Sequence, residues 1–400
     1  MPTRKAYSVT YTGFTNPIDS GASGLTTGGT GNRTLTLSGD TFSSRIGRGD
    51  KFTIDVNGTP EVVYIESRNS DTQLTAQSWQ SVGAHSNQDW KAERCYKGLS
   101  TAEAATDNDL VSADEIVELV AYDDGDFGEG EVIIAGATVD ATRYRVWTVA
   151  VGERHQGKYN ASVGVLYTPW GNGIAYAENY GILEWFQMYR ATEWAINLDS
   201  DGGKHVIVRN NIVKGFSDGG IRSFASGGSG YIANNIIFDS TGNGIYSQES
   251  TEKIYNNTVH NCGYGIRAGS GSPIAKNNIA MDCATACYSG TFGTSSNNMS
   301  SDTSAPGTSA QKSKVSTNQF VNTAGDDFHL KAGADAINNG TSLTGESTGY
   351  PDNVDIDIDA YNRNTGGVVW DIGAHEYLSA VTAKVTCMDN DYRRQRIYYK

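Results

Sequence analysis

Residues 205–223 read HVIVRNNIVKGFSDGGIRS, residues 231–247 YIANNIIFDSTGNGIYS, residues 253–268 KIYNNTVHNCGYGIRA and residues 274–289 IAKNNIAMDCATACYS. One asparagine pair returns throughout: Asn210-Asn211, Asn234-Asn235, Asn256-Asn257, Asn277-Asn278 and, just beyond, Asn297-Asn298, with successive spacings of 24, 22, 21 and 20 residues. Ile212, Ile236, Ile279 and Met299 follow four of the pairs, and Thr258 is the exception. A second marker, Gly220-Ile221, Gly244-Ile245 and Gly265-Ile266, keeps step. A repeat in the low twenties with short apolar runs and Gly/Asn punctuation is a solenoid pattern, and the runs are too short for paired helices. The expected fold is all-β: a parallel β-helix with rungs of 20–24 residues, its strands stacked about 4.8 Å apart.

The recurrence of asparagine has a structural cause. Each rung must turn sharply at the same place, and Asn tolerates left-handed backbone better than other non-glycine residues. Its amide can also donate to and accept from the Asn one rung away, so a buried stack satisfies itself. The pairs are therefore read as structural.

Working outward, residues 1–92 form a separate small β module for attachment or an interface. Phe52, Ile54 and Val56 alternate with polar residues, Asn57-Gly58 supplies a tight turn, and Val62, Tyr64 and Ile65 resume, which is a hairpin pattern. Arg48-Gly49-Asp50 reads as a turn before that hairpin. Residues 93–318 hold the solenoid, preceded by a capping box at Ser100-Thr101-Ala102-Glu103 whose short helix would cover the open end. Residues 319–378 change character as a C-terminal cap, and residues 379–400 form a basic, aromatic tail suited to docking on an acidic neighbour such as another copy.

Net charge is −14, from 45 acidic against 31 basic residues, which argues against nucleic acid or an anionic membrane surface as partner. No run of 18 apolar residues suggests membrane insertion, and the start, Met1-Pro2-Thr3-Arg4-Lys5-Ala6-Tyr7, shows no signal-peptide core. Five cysteines without a CxxC spacing indicate neither a disulfide framework nor a zinc site. Cys262 and Cys283 share a column on neighbouring rungs, within disulfide reach, and are expected as stacked thiols if the chain matures in the cytoplasm.

Two further segments carry a family resemblance. The first is Gln319-Phe320-Val321-Asn322, Asp327-Phe328-His329-Leu330 and Ala336-Ile337-Asn338-Asn339-Gly340; the second is Asp355-Ile356-Asp357-Ile358-Asp359-Ala360-Tyr361-Asn362-Arg363 and Asp371-Ile372-Gly373-Ala374-His375-Glu376-Tyr377. Together they resemble the ending of many right-handed parallel β-helix proteins of the pectate-lyase-like superfamily, including polysaccharide-lyase-like proteins and phage or prophage surface proteins. Ala360 stands where the usual ending has Gly. The resemblance implies a right-handed solenoid and, by analogy with phage spikes, a homotrimer; it does not fix an activity, because the superfamily hosts enzymes, adhesins and structural parts.

Strand alternation turns each marker Ile inward and the next residue outward. That gives an outer column of Asn197, Arg222, Tyr246 and Arg267 suited to gripping a linear sugar polymer, since guanidinium binds carboxylate bidentately. Residues 170–194 are dense in aromatics, and Trp185, Tyr189 and Trp194 are candidates for sugar stacking. A lyase needs a cation, a base and an acid, for which Lys214, Arg222, His260 and Arg267 are the candidates. A hydrolase needs paired carboxylates, available among Asp199, Asp201, Asp218, Glu249 and Glu252. Asp355, Asp357 and Asp359 alternate like calcium ligands, without the Gly and closing Glu of an EF-hand loop.

These readings converge on a phage virion surface protein of fibre, spike or decoration type. It would be made in a host cytoplasm, would partner other virion proteins or copies of itself, and would adhere to a polysaccharide or cell-surface glycan without cleaving it. The alternative is a depolymerase, a lyase or hydrolase of an acidic polysaccharide acting outside the cell.

Overall fold

The computed structural model describes residues 1–28, 33–190, 193–198, 205–224, 230–248, 250–344, 346, 354–365, 369–378, 385–388 and 395–398, the last two ranges as backbone only. The chain divides into two compact units, residues 1–127 with 137–153 and residues 128–136 with 154–400.

The first unit contains a closed antiparallel barrel of Asp19–Thr27, Thr34–Leu37, Gln73–Ala76, Thr59–Ser70, Lys51–Val56 and Gln88–Glu93, in that order. The expected hairpin is present: Lys51 pairs with Tyr64 and Val56 with Thr59, while Asn57 and Gly58 both adopt positive φ. Its core is Leu25, Leu35, Phe52, Ile65, Leu74 and Trp90, with the Phe52 and Trp90 rings stacked at 5.2 Å. Arg48-Gly49-Asp50 is structural: Arg48 pairs with Glu66 and Glu118, and buried Asp50 accepts from buried Arg94 at 2.8 Å. The unit reaches well past residue 92, because Thr3–Thr10 runs parallel to both Tyr96–Lys97 and Glu115–Ala121.

The helix at Leu99–Ala105 lies in this unit and does not use the expected capping box. Its N-cap is Gly98, and Glu103 turns to Arg145 at 3.0 Å. The helix begins at buried Leu99, so Ser100 falls inside the first turn and not at the cap, while Glu103 is engaged by the buried Arg145 guanidinium.

The second unit is the solenoid, with three parallel sheets. The first sheet includes Tyr180–Glu184, His205–Arg209, Tyr231–Ala233, Lys253–Tyr255 and Ile274–Lys276. The second runs from Val132–Ile134 through Trp194–Leu198, Gly219–Ser223, Asn243–Ser247 and Tyr264–Ala268 to Ala286–Ser289. The third runs from Leu166–Tyr167 through Gln187–Tyr189, Ile212–Lys214, Ile236–Phe238, Thr258–His260 and Ile279–Met281 to Met299–Ser300. Cys262, Cys283 and Cys287 are free thiols. Among the described residues no helix is long and apolar enough to cross a membrane.

The asparagine pairs sit at the corner between the first and third sheets and divide their work. The first Asn of each pair takes the left-handed turn, with φ of 54–56° at Asn210, Asn234, Asn256, Asn277 and Asn297. The second points inward and stacks: Asn211 Nδ2 donates to Asn235 Oδ1 at 3.2 Å, Asn235 to Asn257, Asn257 to Asn278 and Asn278 to Asn298, each at 3.0 Å. The same oxygens accept the backbone N–H of the preceding Asn, and Asn235 Nδ2 also donates to Val208 O. Trp185-Phe186 occupies the corner one rung earlier, Trp185 with φ of 70° and Phe186 N–H donating to Asn211 Oδ1.

The outward asparagines hold the C-terminal segment against the corner. Asn297 Nδ2 donates to Asn339 O, Asn277 to Thr341 O, Asn234 to Val354 and Ile356 O, and Asn210 to Asp357 O, so this segment climbs back along the solenoid. Thr258, the exception after the pairs, accepts the Ala374 N–H at 3.0 Å. Ile212, Ile236, Ile279 and Met299 face outward and join Phe320, Phe328, Leu330, Ile358 and Ile372 in one core. The outer face of the third sheet is thus a buried interface. Glu346 lies over the first sheet, taking hydrogen bonds from Tyr255 (3.0 Å) and Lys276 (2.6 Å).

Asn235→Ala leaves several buried ladder groups unpaired, and its expected cost is about 3 kcal/mol in chemical denaturation. Asn234→Gly keeps the turn, because Gly accepts positive φ. It loses only the bonds to Val354 and Ile356, so about 1 kcal/mol is expected, with faster hydrogen exchange near 354–357.

Candidate ligand-binding face

On the second sheet the marker residues Ile196, Ile221, Ile245 and Ile266 point into the core, all fully buried. The next residue in each strand points out, and the register places Asn197 beside Arg222, Arg222 beside Tyr246 and Tyr246 beside Arg267. The expected column is therefore real. Arg222 and Arg267 are two rungs apart, roughly 10 Å at ordinary strand spacing.

Aromatic rings surround both guanidiniums. Arg222 lies 4.5 Å from the Phe224 ring centroid and 5.4 Å from that of Trp194, and its Nε donates to Asn197 Oδ1 at 2.9 Å. Arg267 lies 4.9 Å from Tyr264 and 5.5 Å from Tyr246. Tyr246 packs edge-on to Phe224 at 5.7 Å, and its hydroxyl accepts from Gln248 Nε2. Gly219 makes this possible: a Cβ there would come within 2.5 Å of Trp194 Cζ3, so only glycine lets the indole lie down on the sheet. A guanidinium held over a ring keeps its N–H edges free for a ligand.

Among the described residues these two arginines lack the carboxylate partner that the buried arginines have. Arg94, Arg209 and Arg363 each have a carboxylate partner. Among the described residues neither Arg222 nor Arg267 makes an ion pair, on a chain of net charge −14. Both are half-buried and lie on the outer face of a sheet that no described C-terminal residue covers.

The other candidates separate. Trp194 belongs to this face. Tyr189 stands on the third sheet, 37% exposed, beside Tyr159. Trp185 is buried at the Asn corner under Arg154 and next to His155, because it fills the turn position of a missing asparagine. Lys214 and His260 do not join the arginines. Lys214 pairs with Asp326 over Tyr159 and Phe238, and His260 sits against Phe320 and Phe328 with Asp282 at 3.2 Å. Both lie on the outer side of the third sheet, which the C-terminal segment covers, so the lyase constellation does not assemble. Glu252 is buried and accepts from Ser223. Glu249, Asp199, Ser200 and Asp201 lie outside the described residues.

The three aspartates do not converge as calcium ligands either. Asp355 accepts from Asn364, while buried Asp357 accepts the N–H groups of Asp359, Tyr361 and Glu376, fixing the loop. Burial, with the neighbouring Asp359, pushes the Asp357 carboxyl above the usual carboxylate range. Asp359 faces two histidines instead, His375 Nδ1 at 2.8 Å and His329 Nε2 at 3.2 Å. Sequence spacing gave no sign of this meeting, which joins residues far apart in the chain.

Residues 194–349 match the family model for the right handed beta helix region. With the three stacked parallel sheets, this makes the chain a right-handed parallel β-helix protein, a fold associated generally with structural or polysaccharide-related roles. No curated protein matches the chain.

Lys214→Met and His260→Ala are expected to lower thermal stability by loosening the C-terminal segment, with no change in ligand affinity at the second sheet. Thermal melts read beside a binding assay check this, and lost affinity in a fully folded variant would move the site to the third sheet.

Proposed function

We propose that this protein binds an acidic linear polysaccharide along the outer face of the second sheet and does not cleave it. The observation that carries the reading is the pair of guanidiniums, Arg222 and Arg267, that stack among aromatic rings and have no acid partner among the described residues, on a sheet face that no described C-terminal residue covers. Each can take a sugar carboxylate bidentately, and the half-buried Tyr246 and Tyr264 offer apolar surface to sugar rings, while buried Trp194 supports Arg222 from below. Asn197 and Gln248 add amide groups at the margin. A polymer lying along the solenoid axis would meet the same chemistry every second rung.

The likeness of the C-terminal ending to phage surface β-helix proteins supports a virion setting, with the chain as a fibre, spike or decoration protein presenting this face to a host glycan. A depolymerase is the second reading. The positions that favour it are Asp199, Asp201 and Glu249, which follow the second-sheet strands directly in the sequence.

The test is binding to a panel of uronate-containing and neutral polysaccharides, with reducing ends and the ultraviolet absorbance of unsaturated products followed together. Binding to acidic polymers is expected, weakened about tenfold by Arg222→Ala and by Arg267→Ala, as loss of a charged hydrogen bond implies. Equal affinity in those variants, or for neutral polymers, would remove the site. Chain cleavage that Glu249→Ala abolishes would make the protein a depolymerase.

A further inference from the structure

The chain has six histidines, and two of them meet at one carboxylate in the C-terminal cap. We propose that His329, Asp359 and His375 bind a borderline first-row divalent cation, zinc(II) above all. One ligand atom from each lies within 4.8 Å of the other two. Asp359 Oδ1 is 3.2 Å from His329 Nε2, its Oδ2 is 2.8 Å from His375 Nδ1, and the imidazole centroids are 4.0 Å apart. Ligands about 2.0–2.1 Å from a tetrahedral ion stand roughly 3.3 Å from one another. The 3.2 Å separation matches that spacing, and the 2.8 Å one, made by the other Asp359 oxygen, is a hydrogen-bond distance that an entering ion would widen.

The surroundings are those of a metal ligand set. Asp327 Oδ1 holds His329 Nδ1 at 2.7 Å, and Lys158 Nζ stands 3.5 Å from the other Asp327 oxygen. A carboxylate on the far nitrogen of a ligating histidine fixes its tautomer and aims the ring. On another side the backbone closes the cluster: a Cβ on Gly157 would fall 2.2 Å from Asp359 Oδ1 and 2.7 Å from His375 Cε1. His375 is buried, and its Nε2 has no hydrogen-bond partner. In the metal-free cluster the Asp359 carboxylate holds the proton on Nδ1, and an ion bound there would have to shift it to Nε2, which no described group occupies.

With His329 donating to both Asp327 and Asp359 and Lys158 beside Asp327, two positive charges stand against two carboxylates and the metal-free cluster is neutral. A divalent ion would displace the Nε2 proton of His329 and shift the proton of His375 from Nδ1 to Nε2, leaving one positive charge for solvent or a bound hydroxide to offset. Two nitrogen donors of three exclude a calcium-type site, which takes six to eight oxygens. His329 and Asp359 keep 30% and 28% of their side-chain surface, so a water can complete the coordination. The ion would join three segments of the cap, at 327–330, 355–361 and 371–377.

The full chain, dialysed against chelator, would be titrated with zinc(II) and separately with cobalt(II). One-to-one binding, tetrahedral cobalt absorption bands and a higher melting midpoint are expected. His329→Gln should lose at least tenfold in zinc affinity, Asp327→Asn about tenfold, and His85→Gln nothing. Replacing buried His375 can unfold the cap, so the partly exposed His329 gives the decisive variant. The proposal is overturned by a folded wild type that binds no zinc stoichiometrically, by His329→Gln binding as tightly as wild type, or by calcium competing zinc away.

Discussion

The constraint on which the solenoid depends is the satisfaction of buried amides at one corner. A turn in every rung must leave backbone donors inside the coil, where an unpaired polar group costs about 1–3 kcal/mol. Asn211, Asn235, Asn257, Asn278 and Asn298 meet that demand by accepting from the rung before and donating to the rung after. Because each amide depends on its neighbour, the ladder fixes register: a slipped rung would strand two groups at once. Strand pairing then follows in all three sheets, and the Ile columns fall into line inside.

The corner also determines what can cover the solenoid. The outward asparagines present a row of N–H donors, and the returning C-terminal chain supplies the carbonyls. That docking brings Phe320, Phe328 and Ile372 over the third sheet and Glu346 over the first. The second sheet is left with its polar and aromatic column facing outward. The candidate binding face is thus partly defined by where the cap goes.

Much of this was legible in the sequence. The Asn period set the rung length, and the Gly-Ile marker set the phase closely enough to align Asn197, Arg222, Tyr246 and Arg267. The covering of the third sheet was missed, although its signal was present. Ile212, Ile236, Phe238, Ile279 and Met281 place apolar groups on the outward positions of successive rungs, and such a sheet face must be buried. Lys214 and His260, offered as lyase candidates, share a column with Phe238 on that face and were bound to be covered with it. Trp185 was misread for a different reason: an aromatic stands at the turn position that Asn holds in later rungs, so it did not read as a buried corner residue. The His329–Asp359–His375 meeting was not legible at all, since it depends on three loops packing together and leaves no local period.

Departures from the repeat follow a physical rule. Where a rung residue breaks its column, a non-repeating piece of chain usually supplies the reason. Thr258 interrupts the apolar column and receives the Ala374 N–H; Lys214 interrupts an otherwise apolar surface and meets Asp326. Gly219 interrupts its column to admit the Trp194 ring. Arg222 and Arg267 are departures of the same kind, yet among the described residues no acid answers them. A half-buried guanidinium is retained against desolvation only when something of opposite charge or complementary shape meets it. The rings around them supply part of that, and the proposed acidic ligand would supply the rest.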